Sequence, residues 1–530
     1  MGWARGLARY WHTLRHLKPV QFTARARLLL AGPPRLPPPP SEVRGRGVCE
    51  TSFLPPSPCR DGLTFSFLNL ERAFDGAVDW DCLDHGLLWA YNLNYFQWLD
   101  PSDPLAEWPL LEDYLGRLDG LDVGRQPYPT SLRVMAMVRF LAQAGEALPR
   151  EARQTMDASL ASQARMLAGR LEFHLLGNHL LENAFALLMA GTHLGDEFLA
   201  CRARSVLGSQ LREQILPDGA HFERSPMYHR ILLGRVLDAV NLVRGTGGPA
   251  GDLLPRLEDV AGDMLAWQRA MTFSDGRMPL FNDSAEGIAP EPAALDDYAR
   301  RLGLVSTPGL LPGPSGYRLF RAGRLEAAVD AAPIGPDYIP GHAHSDTLSF
   351  ELRVDGAPYV VDPGVSTYEA GPRRRWERST EAHNTVQVGG VEQSETWGAF
   401  RVARRARVTS LEEGLDWLEA AHDGYARIGI VHRRRFAFSP TGCLVNDVLE
   451  AHGAIAPAGV FRIHFHPGLA LRLEGDTVLA GALAIRPRGA IFLALEPYYC
   501  PQGFNRLVPA TCLRVDFKNT LETVFEMLGV

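Results

Sequence analysis

The sequence predicts an α+β protein with two large domains, a helical domain followed by an antiparallel β-sandwich domain. Its 530 residues exceed what one ordinary hydrophobic core organises. From about residue 80 to residue 300, apolar residues recur with the spacing of amphipathic helices. Near residue 310 the period changes to the two-residue alternation of short strands, which continues to the end of the chain.

Residues 1–60 are predicted to form an N-terminal helix and a proline-rich arm. Residues 1–32 are basic, aromatic and helical in character. The runs PPRLPPPP and PPSPC that follow exclude the interior of a helix or a sheet. We expect the helix to pack on its own protein. Contact with a membrane surface is the alternative, because the helix is basic and amphipathic.

Residues 61–310 are predicted to form the helical domain. At least seven or eight segments, such as SLRVMAMVRFLAQAG and NHLLENAFALLMAGTHL, carry apolar residues at i, i+3, i+4 and i+7. Short breaks that contain glycine or proline join these segments. Both a helical bundle and a helical toroid fit the pattern.

Residues 311–530 are predicted to form the β-domain. Short alternating segments with glycine turns recur every 8–15 residues, which is typical of a large antiparallel sandwich. One of them, PGHAHSDTLSFEL, alternates at Leu348, Phe350 and Leu352 and predicts a half-buried strand. Its beginning is irregular and carries two histidines.

Charge and cysteine content narrow the class of protein. The net charge of −7 argues against a nucleic-acid-binding protein, and an acidic substrate would have to be bound by local basic residues. Seven scattered cysteines without CxxC spacing argue against a disulfide framework. We see no signal peptide and no apolar run long enough to span a membrane, so a cytoplasmic location is expected. Export by another route stays open.

Histidine and aspartate residues cluster at strand ends in the β-domain. His342, His344 and Asp346 are two residues apart and should share a face in an extended chain. Asp362 ends an apolar strand, and His383 begins another. Zinc binds imidazole nitrogen and carboxylate oxygen, so one histidine of the HAH pair with Asp362 and His383 would form a ligand set. Turn-forming, hydrogen-bonded residues are the alternative.

Two polar clusters lie in the helical region. GNHLLEN places His179 and Glu182 three residues apart on one helix face, beside Asn178. An ordinary asparagine helix cap is the alternative. DGAHFERSPMYH lies where a loop enters a helix, a position where active sites collect. Its titratable and aromatic residues are His221, Glu223, Arg224, Tyr228 and His229.

Aromatic residues near the start of the helical region are candidates for sugar stacking. Trp89 and Tyr128 belong to this group, although aromatic residues at helical spacing usually lie in a core. Arg133 could pair with a carboxylate on the same side.

The motifs NHLLEN, DGAHFERSPMYH, GHAHSDTLSFEL, VVDPG and RSTEAHNTV, in this order, resemble the heparinase II/III family of polysaccharide lyases, whose relatives include alginate lyases. The resemblance covers most of residues 80–400. It implies an incomplete α/α toroid followed by a β-sandwich domain, with a catalytic cleft between them. It also implies β-elimination at a uronic acid, in which the C5 proton is removed and the 4-O bond breaks.

The resemblance implies roles for residues of both domains. Asn178, helped by a protonated Glu182, would neutralise the substrate carboxylate. Tyr228, His179 and His342 would supply acid and base. The implied ligands of a structural zinc ion are His344, Asp362 and His383, which leaves Asp346 a structural role. The residues expected to contact substrate are Arg133, Tyr128, Trp89, His221 and Glu223.

The expected function is cleavage of a uronic-acid-containing polysaccharide, glycosaminoglycan or alginate-like, by a polysaccharide lyase acting as a carbon–oxygen lyase. The expected partner is therefore an acidic polysaccharide or oligosaccharide. A glycoside hydrolase is one alternative, with Glu182, Glu223 and Asp275 as candidate carboxylates. A non-catalytic polysaccharide-binding or assembly factor is another. The uronate, the cleavage mode and the oligomeric state stay open.

Overall fold

The computed structural model describes residues 2–40, 43, 45, 48–56, 59–144, 147–247, 249–310, 313–451, 453 and 456–529, with side chains from residue 6 onward. It confirms the predicted fold class: helices come first and large antiparallel sheets follow. In the part of the chain that the structure describes, no helix is long and apolar enough to cross a lipid bilayer.

The N-terminal segment consists of two helices, an extended arm and a small sheet. Helices α1 (Gly2–Leu14) and α2 (Pro19–Ala31) precede the proline-rich arm. A three-stranded antiparallel sheet follows, formed by β1 (Arg60–Asp61), β2 (Thr64–Phe67) and β3 (Leu70–Ala73). Helix α1 contacts the β-domain at Glu395 and Trp397, whereas α2 and the small sheet contact the helical domain.

Nine helices make the toroid within the described residues. They are α3 (Leu87–Tyr95), α4 (Pro104–Arg117), α5 (Pro127–Ala144), α6 (Arg150–Ala168), α7 (Gly177–Leu194), α8 (Glu197–Gln214), α9 (Pro226–Thr246), α10 (Leu254–Met271) and α11 (Pro292–Arg301). Helices α3, α5, α7 and α9 pack on one another in that order. Helix α7 is buried along almost its whole length, which explains why it is apolar on every side. Its N-terminus faces the β-domain.

The β-domain packs two main sheets around one core. The first sheet has the order β4 (Tyr317–Ala322), β5 (Leu325–Asp330), β6 (Phe350–Val354), β7 (Ala357–Val360). The larger sheet has the order β11-β12-β13-β14-β19-β18-β17-β16, with β15 paired to β19 and β8. Phe320 and Leu352 of the first sheet share a core with Phe436 and Phe525 of the second.

The remaining elements of the β-domain complete the sandwich and its edge facing the toroid. They are α12 (Pro372–Glu377), β8 (Val386–Val388), β9 (Thr396–Trp397), β10 (Arg401–Val402), β11 (Val408–Glu413), β12 (Trp417–His422), β13 (Ile430–Ser439), β14 (Gly442–Ala451), β15 (Ala458–His464), β16 (Leu471–Glu474), β17 (Thr477–Ala480), β18 (Leu483–Pro501) and β19 (Leu507–Met527). All pairings are antiparallel.

The strand predicted around Leu348 begins later and is buried on both faces. Strand β6 starts at Phe350, and Leu348 has a left-handed φ of 65°. Ser349 and Glu351, expected to face solvent, are buried as well. The Leu280 amide donates to Glu351 at 2.6 Å, so a loop from the helical domain covers the face that alternation alone assigned to water.

Candidate active site

A cavity of about 870 Å³ lies between the toroid and the β-domain. Both domains contribute aromatic and titratable side chains to its wall. These include Tyr91, Tyr128, His179, Tyr228 and Arg235 from the toroid, and His342, Tyr368, Phe400 and Phe504 from the β-domain. The predicted cleft is therefore present, and it requires both domains.

Asn178 lies at the first turn of α7, where it is buried next to His342 of the cleft wall. Its side-chain amide donates to Glu223 at 2.7 Å and to Nε2 of His342 at 3.3 Å. Its backbone amide donates to the other oxygen of Glu223 at 2.8 Å. Glu223 is thus buried behind Asn178 and orients it. This differs from the predicted role of Glu223 in contacting substrate.

Gly177 makes the close approach of Glu223 possible. It has a φ of 57°, and a Cβ atom built there would lie 2.2 Å from Oε1 of Glu223. The residue before it, Leu176, also has a positive φ of 69°. The chain therefore enters α7 through two left-handed residues, of which one must be a glycine.

Gly177→Ala is expected to displace Glu223, release Asn178 and lower activity at least tenfold. The left-handed backbone adds about 1–2 kcal/mol of destabilisation. Gly208→Ala is the matched control, because Gly208 lies inside α8 with open space around its Cα. This control should stabilise the protein by up to about 1 kcal/mol. Thermal unfolding and the activity of both variants check the pair, and equal behaviour would contradict the close-approach argument.

His342 is held from behind by a buried carboxylate. Its Nδ1 atom donates to Asp283 at 2.9 Å, which leaves the lone pair of Nε2 facing Asn178. Arg374 binds both oxygens of Asp283, one of them at 2.7 Å, and both side chains are fully buried. Burial alone would raise the pKa of Asp283, but the Arg374 guanidinium holds it well below its usual value. Asp283 therefore fixes the tautomer of His342.

Tyr228 begins helix α9 beside His342. Ser225 caps this helix by accepting from the Tyr228 amide, and the Tyr228 and His342 rings lie 4.0 Å apart. The Tyr228 hydroxyl lies 3.1 Å from the Tyr368 hydroxyl. Burial, followed by the neighbouring Tyr368, raises the pKa of Tyr228 well above its usual value. Tyr228 is consequently a protonated donor in the resting protein.

His179 lies on the other side of the cleft and stacks on Tyr128 with ring centroids 4.3 Å apart. Its Nδ1 atom donates to Glu172 at 3.2 Å. Burial opposes the charged imidazolium, but the Glu172 carboxylate outweighs burial and raises the pKa of His179. His179 is thus a better source of positive charge for a substrate carboxylate than a resting base.

Four predicted site residues lie elsewhere. Trp89 and Arg133 are buried in the toroid, where Arg133 donates to Gln163 and to two backbone carbonyls. His221 is buried and bonds Gln214 at 3.0 Å. Glu182 is bound by Arg235 at 3.0 Å and does not line the cavity. None of the four lines the cavity, because spacing along the chain does not show which side chains face a cleft.

The candidate carboxylates of a hydrolase do not form a pair across the cleft. Glu182 and Glu223 are bound to Arg235 and Asn178, and Asp275 is bound to Arg353 away from the cavity. Hydrolysis needs two carboxyl groups on either side of one glycosidic bond. The geometry therefore gives no support to the hydrolase alternative.

Sequence reasoning missed Glu172, Asp283, Tyr368 and Arg374. Each forms a hydrogen bond within the site. Glu172 accepts from His179, and Asp283 accepts from His342. Arg374 donates to Asp283, and the Tyr368 hydroxyl bonds the Tyr228 hydroxyl. These four residues lie outside the motifs that the sequence analysis singled out. Only the contacts between segments distant in the chain reveal them.

Two buried histidines, His344 and His383, lie beside the cluster that contains His342. His344 donates through Nε2 to Asp283, and His383 donates through Nδ1 to Asp362, both at 2.8 Å. Within the described residues, Nδ1 of His344 and Nε2 of His383 have no hydrogen-bond partner. One nitrogen of each histidine and a carboxylate oxygen of Asp346 lie within 4.8 Å of one another.

This donor set fits a metal ion, and it differs from the predicted one. Two imidazoles and a carboxylate suit zinc, and carboxylates behind the imidazoles are typical of such centres. Asp362, predicted as a ligand, lies behind His383, whereas Asp346, predicted as structural, lies beside the two imidazoles.

Comparison with known proteins places the chain among heparinase-like sequences. Residues 137–295 match the heparinase II/III N-terminus, and residues 311–508 match the heparinase II/III-like C-terminal domain. The chain is 26% identical over 382 residues to FtsZ-localized protein C of Caulobacter vibrioides, covering 64% of this chain and 63% of that protein. It is 25% identical over 292 residues to a heparin-sulfate lyase of Pedobacter heparinus, covering 49% and 42%. The chain thus spans less than two thirds of either relative.

Solved structures show the same architecture. A crystal structure of heparinase III superposes with a TM-score of 0.67 at 17% identity, covering 86% of this chain and 80% of that one. A heparan sulfate lyase from Pedobacter heparinus gives 0.58 at 18% identity, covering 88% and 82%. At these identities the likeness establishes a shared fold.

Proposed function

Because the chain belongs to the heparinase II/III-like family, we propose that it is a polysaccharide lyase that cleaves a uronic-acid-containing chain by β-elimination. One observation supports this most strongly: Tyr228 and His342 meet in the wall of one cleft between the two domains, and Asn178 contacts His342 from the toroid side. An amide donor, a protonated phenol and an imidazole nitrogen that can accept a proton are the groups that this reaction requires.

The proposed reaction begins with the substrate carboxylate. The longer of the two Asn178 side-chain bonds, to His342, is the one that the carboxylate replaces. The positive charge of His179 also favours binding of this anion. A neutralised carboxylate makes the C5 proton acidic enough to remove.

Proton transfer then uses the two domains together. Nε2 of His342 takes the C5 proton, the C5–H electron pair forms the C4=C5 double bond, and the bond from C4 to the glycosidic oxygen breaks. Tyr228 gives its proton to the departing oxygen and regains one from the solvent, while His342 releases its own. Asp283 holds Nδ1 of His342 as the hydrogen-bond donor, and burial keeps Tyr228 protonated.

The charge of the cleft favours a substrate of low charge density. The arginines in its wall are already paired, Arg235 with Glu182 and Arg139 with Asp238. Glu369 adds negative charge to the wall, whereas Glu291 there is paired with Arg230. A densely sulfated chain would meet carboxylates there, so we propose an unsulfated polymer in which uronates alternate with neutral sugars.

A panel of polymers tests the function. Purified protein is incubated with unsulfated glycosaminoglycans, their sulfated counterparts and alginate, and the absorbance of unsaturated ends is followed. We expect absorbance with the unsulfated chains and at least tenfold less with the sulfated ones. New reducing ends without absorbance would mean hydrolysis and would refute elimination.

We also propose that His344, His383 and Asp346 hold a structural metal ion, with zinc as the expected element. Such an ion would stiffen the strand entrance that carries His342. His344→Ala and Asp346→Asn should lose the metal in elemental analysis and unfold at lower temperature, because the remaining donors stay buried without a partner. His85→Ala, outside the cluster, is the control. Undiminished metal in His344→Ala would refute this ligand set.

A non-catalytic role in assembly is the second candidate. It is favoured by the similarity to FtsZ-localized protein C, which extends over more of this chain than the similarity to the Pedobacter lyase. Polymer binding without absorbance or new reducing ends would support it in place of the lyase.

A further inference from the structure

The first part of the chain has an extreme charge asymmetry. Residues 1–41 contain seven basic residues and no acidic residue, in a protein whose net charge is −7. The basic residues are Arg5, Arg9, Arg15, Lys18, Arg25, Arg27 and Arg35. Neither the proposed cleft nor the proposed metal centre involves this segment.

Helix α1 exposes an apolar stripe. Leu7, Trp11 and Leu14 are spaced at i, i+4 and i+7, so they share one face of the helix. Trp11 is 65% exposed and Leu7 is 60% exposed. A soluble protein without a partner for this face would leave three large apolar side chains in water.

Helix α2 also exposes an apolar stripe. Phe22, Leu29 and Leu30 are spaced at i, i+7 and i+8 and lie on one side. Both leucines are 88% exposed, and Gln21 is the single buried residue among the thirteen of this helix. The exposed Arg25 and Arg27 lie between these apolar positions.

Other faces of the two helices fasten them to the protein. The Tyr10 ring meets the Trp397 ring edge-on at 5.2 Å, and Arg9 binds Glu395 at 2.8 Å. Lys18 binds Glu213, and Gln21 donates to the Leu175 carbonyl at 3.3 Å. The N-terminal helix thus packs on its own protein as expected, while the apolar stripes stay outside these contacts.

We propose that the exposed faces of α1 and α2 form a docking surface for a membrane rich in anionic lipid. Lipid headgroups supply negative charge for the arginines, and the acyl boundary receives the leucine, tryptophan and phenylalanine side chains. A second copy of the chain would bring like charges together. A nucleic acid would satisfy the arginines but leave the two exposed leucines in water.

Vesicle sedimentation of the full-length protein tests the surface. Vesicles of phosphatidylcholine with phosphatidylglycerol are compared with phosphatidylcholine alone, at low and high salt. We expect binding to the anionic vesicles only, weakened by salt because headgroup attraction is screened. Sedimentation that is equal with neutral vesicles, or absent with both, would overturn the proposal.

Two variants and one control locate the contact. Leu29→Ser with Leu30→Ser should weaken binding at least tenfold, and Arg25→Gln with Arg27→Gln should remove most of the salt dependence. Leu415→Ser replaces a fully exposed leucine of the β-domain and should bind as the parent protein does. Circular dichroism and activity on soluble substrate should be unchanged in all three. If the leucine variant binds vesicles as the parent protein does, the membrane surface is refuted. It is also refuted if the leucine variant still binds vesicles but no longer forms a dimer that the parent protein forms.

Discussion

Tyr228→Phe is expected to reduce elimination by about 10²–10⁴-fold, the usual contribution of a positioned acid or base. The change removes one hydroxyl group and keeps the ring that stacks on His342 at 4.0 Å. The departing oxygen then lacks its proton donor, while binding and folding are retained. The rate of formation of unsaturated ends, measured at saturating substrate, checks the prediction.

Tyr368→Phe is the matched control for this result. It removes the hydroxyl that lies 3.1 Å from Tyr228, so it alters the environment of the donor without removing it. We expect a loss of less than tenfold together with a changed pH profile. If Tyr228→Phe stays fully active, or if both variants lose activity equally, the role assigned to Tyr228 is refuted.

Asp283→Ala is expected to destabilise the protein by roughly 3–5 kcal/mol, as removal of one partner of a buried ion pair generally does. It leaves the Arg374 guanidinium buried without its carboxylate. It also releases His342 and His344, which both donate to Asp283. Chemical denaturation measures the loss of stability, and the elimination assay should show the loss of activity.

A second variant separates the contribution of Asp283 to stability from its contribution to positioning His342. Asp283→Leu combined with Arg374→Met removes both buried charges, so the double variant should recover much of the lost free energy of unfolding while remaining inactive. Glu450→Gln, at an exposed pair with Arg433, should leave stability unchanged. A double variant as unstable as Asp283→Ala would show that the ion pair is not the source of the loss.

Some of the site could be predicted because its residues stand in dense local motifs. Asn178 and His179 are adjacent, Tyr228 belongs to a cluster at a helix entrance, and His342 and His344 share a short segment. The switch of hydrophobic period near residue 310 likewise predicted the two domains. These features depend on residues close together in the chain. Over such short distances, the spacing between two residues decides whether their side chains lie on the same face of a helix or strand.

The partners of these residues could not be predicted in this way. Asp283 is 59 residues from His342 and 91 from Arg374, yet it bonds to both. Asp346 lies before β6, and Asp362 lies after β7. Only the packing of these strands decides that Asp346 lies beside the two imidazoles. Trp89 fitted a sugar platform by composition and is fully buried by the fold.

The sequence by itself determined that a helical domain precedes a β-domain, the change between them near residue 310 and the identity of the chemical groups, but not the small sheet at residues 60–73. Hydrophobic period and local spacing carry that information along the chain. The tertiary structure decided which side chains face the cleft and which carboxylate holds each histidine. Burial and long-range hydrogen bonds set tautomers and pKa values, and these exist only after distant segments have packed together.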